Sequence, residues 1–283
     1  MSVTPELSAY IIKGGDEGRA RLSVLARVLE PTTNALLDRF APLAGALVVD
    51  AGCGGGDVSL ELARRVGPTG RVIGFDLDDQ KLAAAAANAR LHGLDNVSFT
   101  NASVVGPWPA ASAAVVYVRF VLTHLPEPER LLARAMQALA PGGVLIVEDI
   151  DFAGHFCDPP CPAFDRYVDL YTALAAARGA DAWIGRKLLG LLETAGFEGV
   201  DTALVQPFGR SGEVKQMASL TFAAIGDSVV AASLATATEV GHLQQELHAH
   251  AARPDATHSM PRIFQAWGRK PAGPYLSLQG VDA

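Results

Sequence analysis

Cysteine, tryptophan and basic charge are all scarce in this chain, and so are long apolar runs. Three cysteines, Cys53, Cys157 and Cys161, stand among 283 residues. An odd and small count excludes the disulfide framework of a compact secreted domain. Cys157 and Cys161 have no second pair at zinc spacing, so no metal site is expected. Lysine and arginine total 23 against 30 acids, a net charge of −7. With no Lys/Arg run, that balance argues against a nucleic-acid or acidic-membrane partner. No apolar stretch approaches the ~20 residues of a membrane span, and Met1–Tyr10 has no basic region followed by an apolar one. The expectation is a cytoplasmic protein, monomer or homodimer.

What is present is a core-forming composition. Hydrophobic residues make up 49% and charged residues 19%, with 28 glycines and 17 prolines in no repeating period. Disorder and collagen-like structure are thereby excluded for most of the chain. Leu22, Leu25, Val28 and Leu29 recur at helical spacing until Pro31, and Asn34–Phe40 reads as a second short helix. Ala46–Val49 is then a continuous apolar run ending in Asp50 and a glycine-rich turn, the pattern of a strand buried on both faces.

Strand and helix signals alternate from there. Helices are expected over Asp57–Val66, Asp79–His92 and Pro126–Ala140, the last stopped by Pro141-Gly142-Gly143. Strands are expected over Arg71–Phe75, Val97–Thr100, Ala113–Val118 and Val144–Val147. This alternation predicts an α/β fold with a mostly parallel sheet. Further on, Ala163–Arg178 and Arg186–Ala195 read as helical, Gly199–Val205 and Ile263–Trp267 as strands, and Glu213 to about Ala252 as helical.

Asp50-Ala51-Gly52-Cys53-Gly54-Gly55-Gly56 follows the first buried strand and opens a helix. Glycines let the backbone bend and let a ligand approach, and the helix start offers free N–H groups. The loop suits a dinucleotide or S-adenosylmethionine. The dinucleotide fingerprint G-x-G-x-x-G would place its third glycine at position 57, which is Asp57. The pattern is D-x-G-x-G-x-G, and an acid before the first glycine suits a cationic ligand better than a pyrophosphate. Asp76, ending the second strand, is placed to accept two ribose hydroxyls from either ligand.

With that loop, Gly74-Phe75-Asp76, His124-Leu125-Pro126 and Leu139-Ala140-Pro141-Gly142-Gly143-Val144-Leu145, the stretch Val48–Asp151 resembles the class I S-adenosylmethionine-dependent methyltransferases. The resemblance implies a Rossmann-like sheet of order 3-2-1-4-5-7-6 with strand 7 antiparallel. Residues 1–40 would form an N-terminal helical cap and 41–270 the catalytic domain, with a helical lid inserted at about 211–258 and a tail at 271–283. It implies S-adenosylmethionine as cofactor, held by Asp50 and Gly52 at the methionine end, Asp76 at the ribose and Leu77 at the adenine, with Gly54 of the loop also in contact. After strand 3 the family commonly has an acid that meets the adenine. Here the alignment places Ser103 in that position, with Ala102 offering its backbone. Arg119 would either hold the cofactor carboxylate or serve the structure, and Tyr10 would either cover the cofactor or anchor the core.

Methyl transfer requires an aligned, desolvated nucleophile and, for some acceptors, a base. His124, beyond strand 4, is the first candidate base. Asp149 and His155, at and after the end of strand 5, are the others. Glu148 and Ile150 should face one side of that strand, Asp149 and Asp151 the other. Phe152, Phe156, Tyr167, Tyr171, Trp183 and Phe222 are expected near the pocket, which would suit a flat acceptor. The expected substrate is a small aromatic or indole-type natural-product intermediate. The alternatives weighed are an RNA methyltransferase and a non-catalytic S-adenosylmethionine-binding module.

Overall fold

The computed structural model describes residues 16–273. Tyr10, the Gly14-Gly15 turn and most of the expected tail lie outside them. Valine- and isoleucine-rich segments form the middle of a seven-stranded sheet because both their faces are covered. The first five strands are β1 (Leu47–Ala51), β2 (Arg71–Asp76), the edge strand β3 (Val97–Asn101), β4 (Ala113–Arg119) and β5 (Leu139–Asp151). Two more, β7 (Glu198–Val205) and β10 (Arg262–Arg269), complete the order β3-β2-β1-β4-β5-β10-β7. Strands β3 to β5 pair in parallel, and β10 runs antiparallel to both β5 and β7. The expected order is therefore observed, with β10 as the seventh strand of the pattern and β7 as the sixth.

Helices cover both faces. On one, α4 (Pro128–Ala138) and α6 (Leu188–Thr194) bury Leu131, Leu132, Leu188 and Leu192 against Val49, Val116 and Val147. On the other, α2 (Asp57–Val66) and the end of α1 (Asp16–Asp38) bury Leu62, Val66, Leu36 and Leu37 against Val48, Tyr117 and Ile146. The short helix α3 (Asp79–Leu91) follows β2 and is capped by Asp78, whose Oδ1 accepts from the N–H groups of Gln80 and Lys81. The strand order reverses between β1 and β4, which opens a crevice at their carboxyl ends.

Above that crevice stands a helical cap. It unites α5 (Pro162–Ala177), α7 (Met217–Ala231) and α8 (Ala237–Ala252) around Phe164, Tyr167, Tyr171, Phe222, Ile225 and Leu247. The cap thus draws on α5 as well as the expected 211–258 insertion. Three short strands, β6 (Cys157–Asp158), β8 (Phe208–Gly209) and β9 (Thr257–Ser259), form a second sheet that ties its ends together.

Three expectations are corrected. Pro31 does not divide two helices: it lies inside the single helix α1. The first half of that helix is anchored in the cap by Leu25 and Leu29, and the second half on the sheet by Leu36 and Leu37, so packing holds it through the missing N–H. Pro141-Gly142-Gly143 does not merely end a helix. It lies within β5, whose pairing with β4 shifts register there. The helical run after Glu213 is broken at Ala232, where α7 ends before α8 begins at Ala237.

Candidate active site

The crevice is a cleft enclosing about 1400 Å³, its open mouth included. Its floor is the glycine loop. Gly52 has φ +75°, and a Cβ there would lie 2.5 Å from Val121 Cγ2, so only glycine fits. Gly54 also has positive φ, but nothing stands within 4 Å of its Cβ position, which leaves a ligand room to approach. Gly52 and Cys53 donate their N–H groups to the Phe75 carbonyl at 2.8 and 3.0 Å, tying the loop to β2. Asp76 completes the clamp: Oδ2 accepts from Gly54 N–H and Oδ1 from Asp78 N–H, each at 3.0 Å. A carboxylate has about four acceptor positions, so two remain for a vicinal diol.

Asp50 is buried and accepts from Ser59 Oγ. Burial pushes its carboxyl up to about 6, against the Ser59 hydrogen bond and the nearby Arg119. A cationic group entering the cleft would reverse that shift. Arg119 lines the same cleft and donates Nη1 to Thr33 Oγ1 at 3.3 Å. Burial opposes its charge, but Tyr117, Glu148, Asp50 and Asp57 together hold its pKa up. Beneath it, Glu148 is fully buried and accepts from Thr33, Tyr117 and Gln265. Glu148 is thereby a structural anchor.

A second hollow adjoins the first, sharing Gly52, Asp76 and His124, and is lined by Leu77, Ala102, Ser103 and Leu125. Leu77, Ala102 and Ser103 thus come together as expected for an adenine wall. The Ala102 N–H, however, is already donated to the Asp76 carbonyl at 3.1 Å, so it cannot serve a ligand. Ser103 Oγ accepts from Val105 N–H at 3.2 Å and keeps its own proton to donate. These residues fit an adenosine-bearing cation: a diol acceptor at Asp76, a buried acid at Asp50, an open glycine at Gly54 and an apolar wall at Leu77.

The other half of the cleft is aromatic. Phe152 stacks on Tyr171 with centroids 3.8 Å apart and planes 6° from parallel. The His155 ring meets Phe152, Phe164 and Tyr167 edge-on at 4.7–5.6 Å. Both His155 ring nitrogens are buried with no hydrogen-bond partner among the described residues, and burial, against the opposing effect of the Ser259 backbone, pulls its pKa down to about 3. His124 lines both hollows, and burial, aided by Arg21, Lys81 and Arg178, holds it also at about 3. Both imidazoles are therefore neutral at ordinary pH and disposed to hydrogen-bond rather than to store a proton.

Asp149 is not brought to the cleft. It is wholly buried, and its oxygens accept from Ile150 N–H at 2.8 Å and Thr123 N–H at 3.2 Å. Burial pushes it up to about 7. It holds the turn Leu122–His124 and so positions His124. The alternation expected along β5 is observed, with Glu148 bonded on one side and Asp149 on the other. Of the expected aromatics, Phe152, Tyr167 and Tyr171 line the cleft and Phe222 packs behind Tyr167 at 5.9 Å. Phe156 and Trp183 do not: they are 46% and 42% exposed, because the short turns that carry them face outward.

Among the cleft residues not anticipated are Arg21 and Thr221, hydrogen-bonded across 200 residues of sequence. The available signal was a cation at helical spacing from Leu25 and Leu29, on the apolar stripe of α1.

The sheet order, the glycine loop and the acid ending β2 define the Rossmann-like fold of the class I S-adenosylmethionine-dependent methyltransferases. Residues 43–176 match the family model described as a methyltransferase domain, and this segment is a methyltransferase domain with S-adenosylmethionine as its methyl donor. Demethylmenaquinone methyltransferase of Lactococcus lactis is 27% identical over 48% of this chain and 52% of its own. Nocamycin O-methyltransferase of Saccharothrix syringae is 36% identical over 40% of this chain and 41% of its own. The chain spans about half the length of the curated relatives it matches. Among solved structures, phosphoethanolamine N-methyltransferase 2 of Haemonchus contortus, in complex with S-adenosyl-L-methionine, superposes with a TM-score of 0.56. It is 18% identical and covers 89% of this chain and 57% of its own, a likeness of fold.

Proposed function

We propose that this chain methylates a small aromatic acceptor, an indole-type natural-product intermediate being the finer reading, at carbon, nitrogen or oxygen. One observation carries it: a single cleft joins the glycine loop, with Asp50 and Asp76, to an aromatic box of Phe152, Tyr167, Tyr171 and His155. S-adenosylmethionine, when bound, supplies an activated methyl group on a sulfonium. The chain's own residues do the rest. Asp76 holds a diol, Asp50 offers negative charge to an ammonium, and the aromatic box aligns a flat ring. The cap excludes water that would compete as nucleophile. His124 and His155, held neutral, accept a hydrogen bond from the acceptor and steer the attacking atom.

Thermal unfolding with S-adenosylmethionine, S-adenosylhomocysteine and NAD⁺ tests the cofactor half. A ligand of the native state raises stability by about 2.7 kcal/mol at a hundredfold excess over its dissociation constant. The expected result is a rise with the two adenosyl-sulfur ligands and none with NAD⁺. Asp76→Ala should abolish the rise while the protein still unfolds cooperatively. A rise with NAD⁺ alone would overturn the reading. Incubation with S-adenosylmethionine and a panel of indoles, phenols and amines, read by mass, then identifies the methylated class.

A further inference from the structure

The two halves of the cleft carry opposite charge. Asp50, Asp57, Asp76 and Asp78 line the cofactor half, where Lys81 and Arg119 also stand. The aromatic half has no carboxylate among its described lining residues: Leu22, Leu25, Phe152, Tyr167, Tyr171, Met217 and Thr221 surround one arginine, Arg21. Arg21 lines the cleft and is only 9% exposed. Among the described residues its guanidinium makes one hydrogen bond, from Nε to Thr221 Oγ1 at 3.0 Å, and no ion pair.

That arrangement is costly as it stands. A guanidinium has five N–H donors, and one is used among the described residues. A buried cation without a counter-charge loses its hydration and gains no compensating attraction. Burial accordingly lowers the Arg21 pKa, and the nearby groups that oppose this shift are two tyrosines, Tyr171 and Tyr167, not acids. A cationic methyl donor in the same cleft would add to the penalty. The charge is balanced if the second ligand is an anion.

We propose that Arg21, steadied by Thr221, binds an anionic group of the acceptor, a carboxylate or an ionised phenol or enol, so that this is a methyltransferase of acidic small molecules. The proposal rests on the methyltransferase reading and narrows it. The geometry favours an anion on two grounds. The planar guanidinium offers paired donors that match a carboxylate or oxyanion. The neighbouring Tyr171, stacked on Phe152, provides a flat apolar wall for the ring that carries the charge. An anionic oxygen would also need no base. Its electron pair forms the new bond to the methyl carbon, the carbon–sulfur bond breaks onto sulfur, and no proton is left over. That agrees with imidazoles at 124 and 155 that stay neutral and do not readily take up a second proton.

The test uses the protein loaded with S-adenosylhomocysteine and two matched pairs of probes: indoleacetate with indoleacetamide, and para-nitrophenolate with para-nitroanisole. Binding is read by calorimetry. In the wild type at least one anion should bind about tenfold or more tighter than its neutral partner, the size of one charged hydrogen bond. The carboxylate pair and the phenolate pair distinguish the two anion sources. Arg21→Met should erase the preference, Arg21→Lys should keep part of it, and both should bind S-adenosylhomocysteine as the wild type does. The wild-type comparison needs no variant, so a misfolded Arg21→Met leaves the test intact. Equal binding of anion and neutral partner in both pairs, or a preference that survives Arg21→Met, overturns the proposal and leaves the methyltransferase reading standing. Failure of the wild type to bind S-adenosylhomocysteine overturns both.

Discussion

His155 is the residue whose surroundings least suit it. An imidazole boxed by Phe152, Phe164 and Tyr167, with both nitrogens buried and without a hydrogen-bond partner among the described residues, costs stability that a phenyl ring would not. His155→Phe should therefore raise stability by about 1–2 kcal/mol and lower acceptor turnover, with S-adenosylmethionine affinity unchanged. Calorimetry and kinetics on one preparation check it, and an unchanged turnover would make His155 a packing residue. Asp50 gives a second expectation. Its carboxyl is raised to about 6 in the free protein, and a bound ammonium favours its ionised form. Cofactor affinity should thus fall as pH drops below about 6, by up to tenfold per unit, and Asp50→Asn should remove that dependence in titration calorimetry. Asp50, Gly52, Gly54 and Asp76 were legible in the sequence because contiguous residues form the loop and one strand end supplies the acid. Arg21 was not, because its meaning depends on Thr221, Tyr167 and Tyr171, which arrive from the cap.

The element that joins the cofactor and acceptor halves is the end of β5. Asp151 is 1% exposed and pairs with Arg186 at 2.7 Å and Arg262 at 3.0 Å. Its Oδ1 also accepts from Ala153 N–H, starting the turn Phe152–Gly154 that aims Phe152 and His155 into the cleft. Gly154 is required there, since a Cβ would fall 2.2 Å from Arg262 Nε. Both arginines are partly solvated, so losing the carboxylate charge costs less than for a fully buried pair. Asp151→Asn should lower stability by about 1–2 kcal/mol. It should also raise the acceptor KM more than it weakens cofactor binding, and parallel titrations would show this. The long elements of the fold were readable from periodicity. The strands β6, β8 and β9 were not: two or three residues are too few to show alternation, and their pairing is set by distant segments.

Across the whole molecule, buried ionisable groups pull in opposite directions. Burial holds His124 and His155 at about 3 and His258 at about 4, below the ordinary value near 6.5. Burial also lifts Asp50 to about 6 and Asp149 to about 7, above the ordinary value near 3.9. Between about pH 4 and 6 unfolding lets the three histidines take up protons and the two carboxyls release them. The net is one proton bound on unfolding. Stability should rise with pH there by about 1.4 kcal/mol per unit, then level off near neutrality, once the unfolded chain's histidines and the folded chain's Asp149 have both lost their protons. Calorimetric scans from acid to mildly basic pH would show a rise that levels off near neutrality; His155→Phe should flatten the acid limb. Among the described residues no helix is long and apolar enough to cross a membrane. What the sequence by itself determined was the mostly parallel α/β sheet and the cofactor loop, because periodicity and glycine placement act over a few neighbouring residues, while the strand order came from the family resemblance. Only the tertiary structure decided that Asp149 lies under the cleft rather than in it, that His155 is boxed and neutral, and that Arg21 enters the cleft without a counter-charge among the described residues. Burial and charge balance are sums over residues that folding alone makes neighbours.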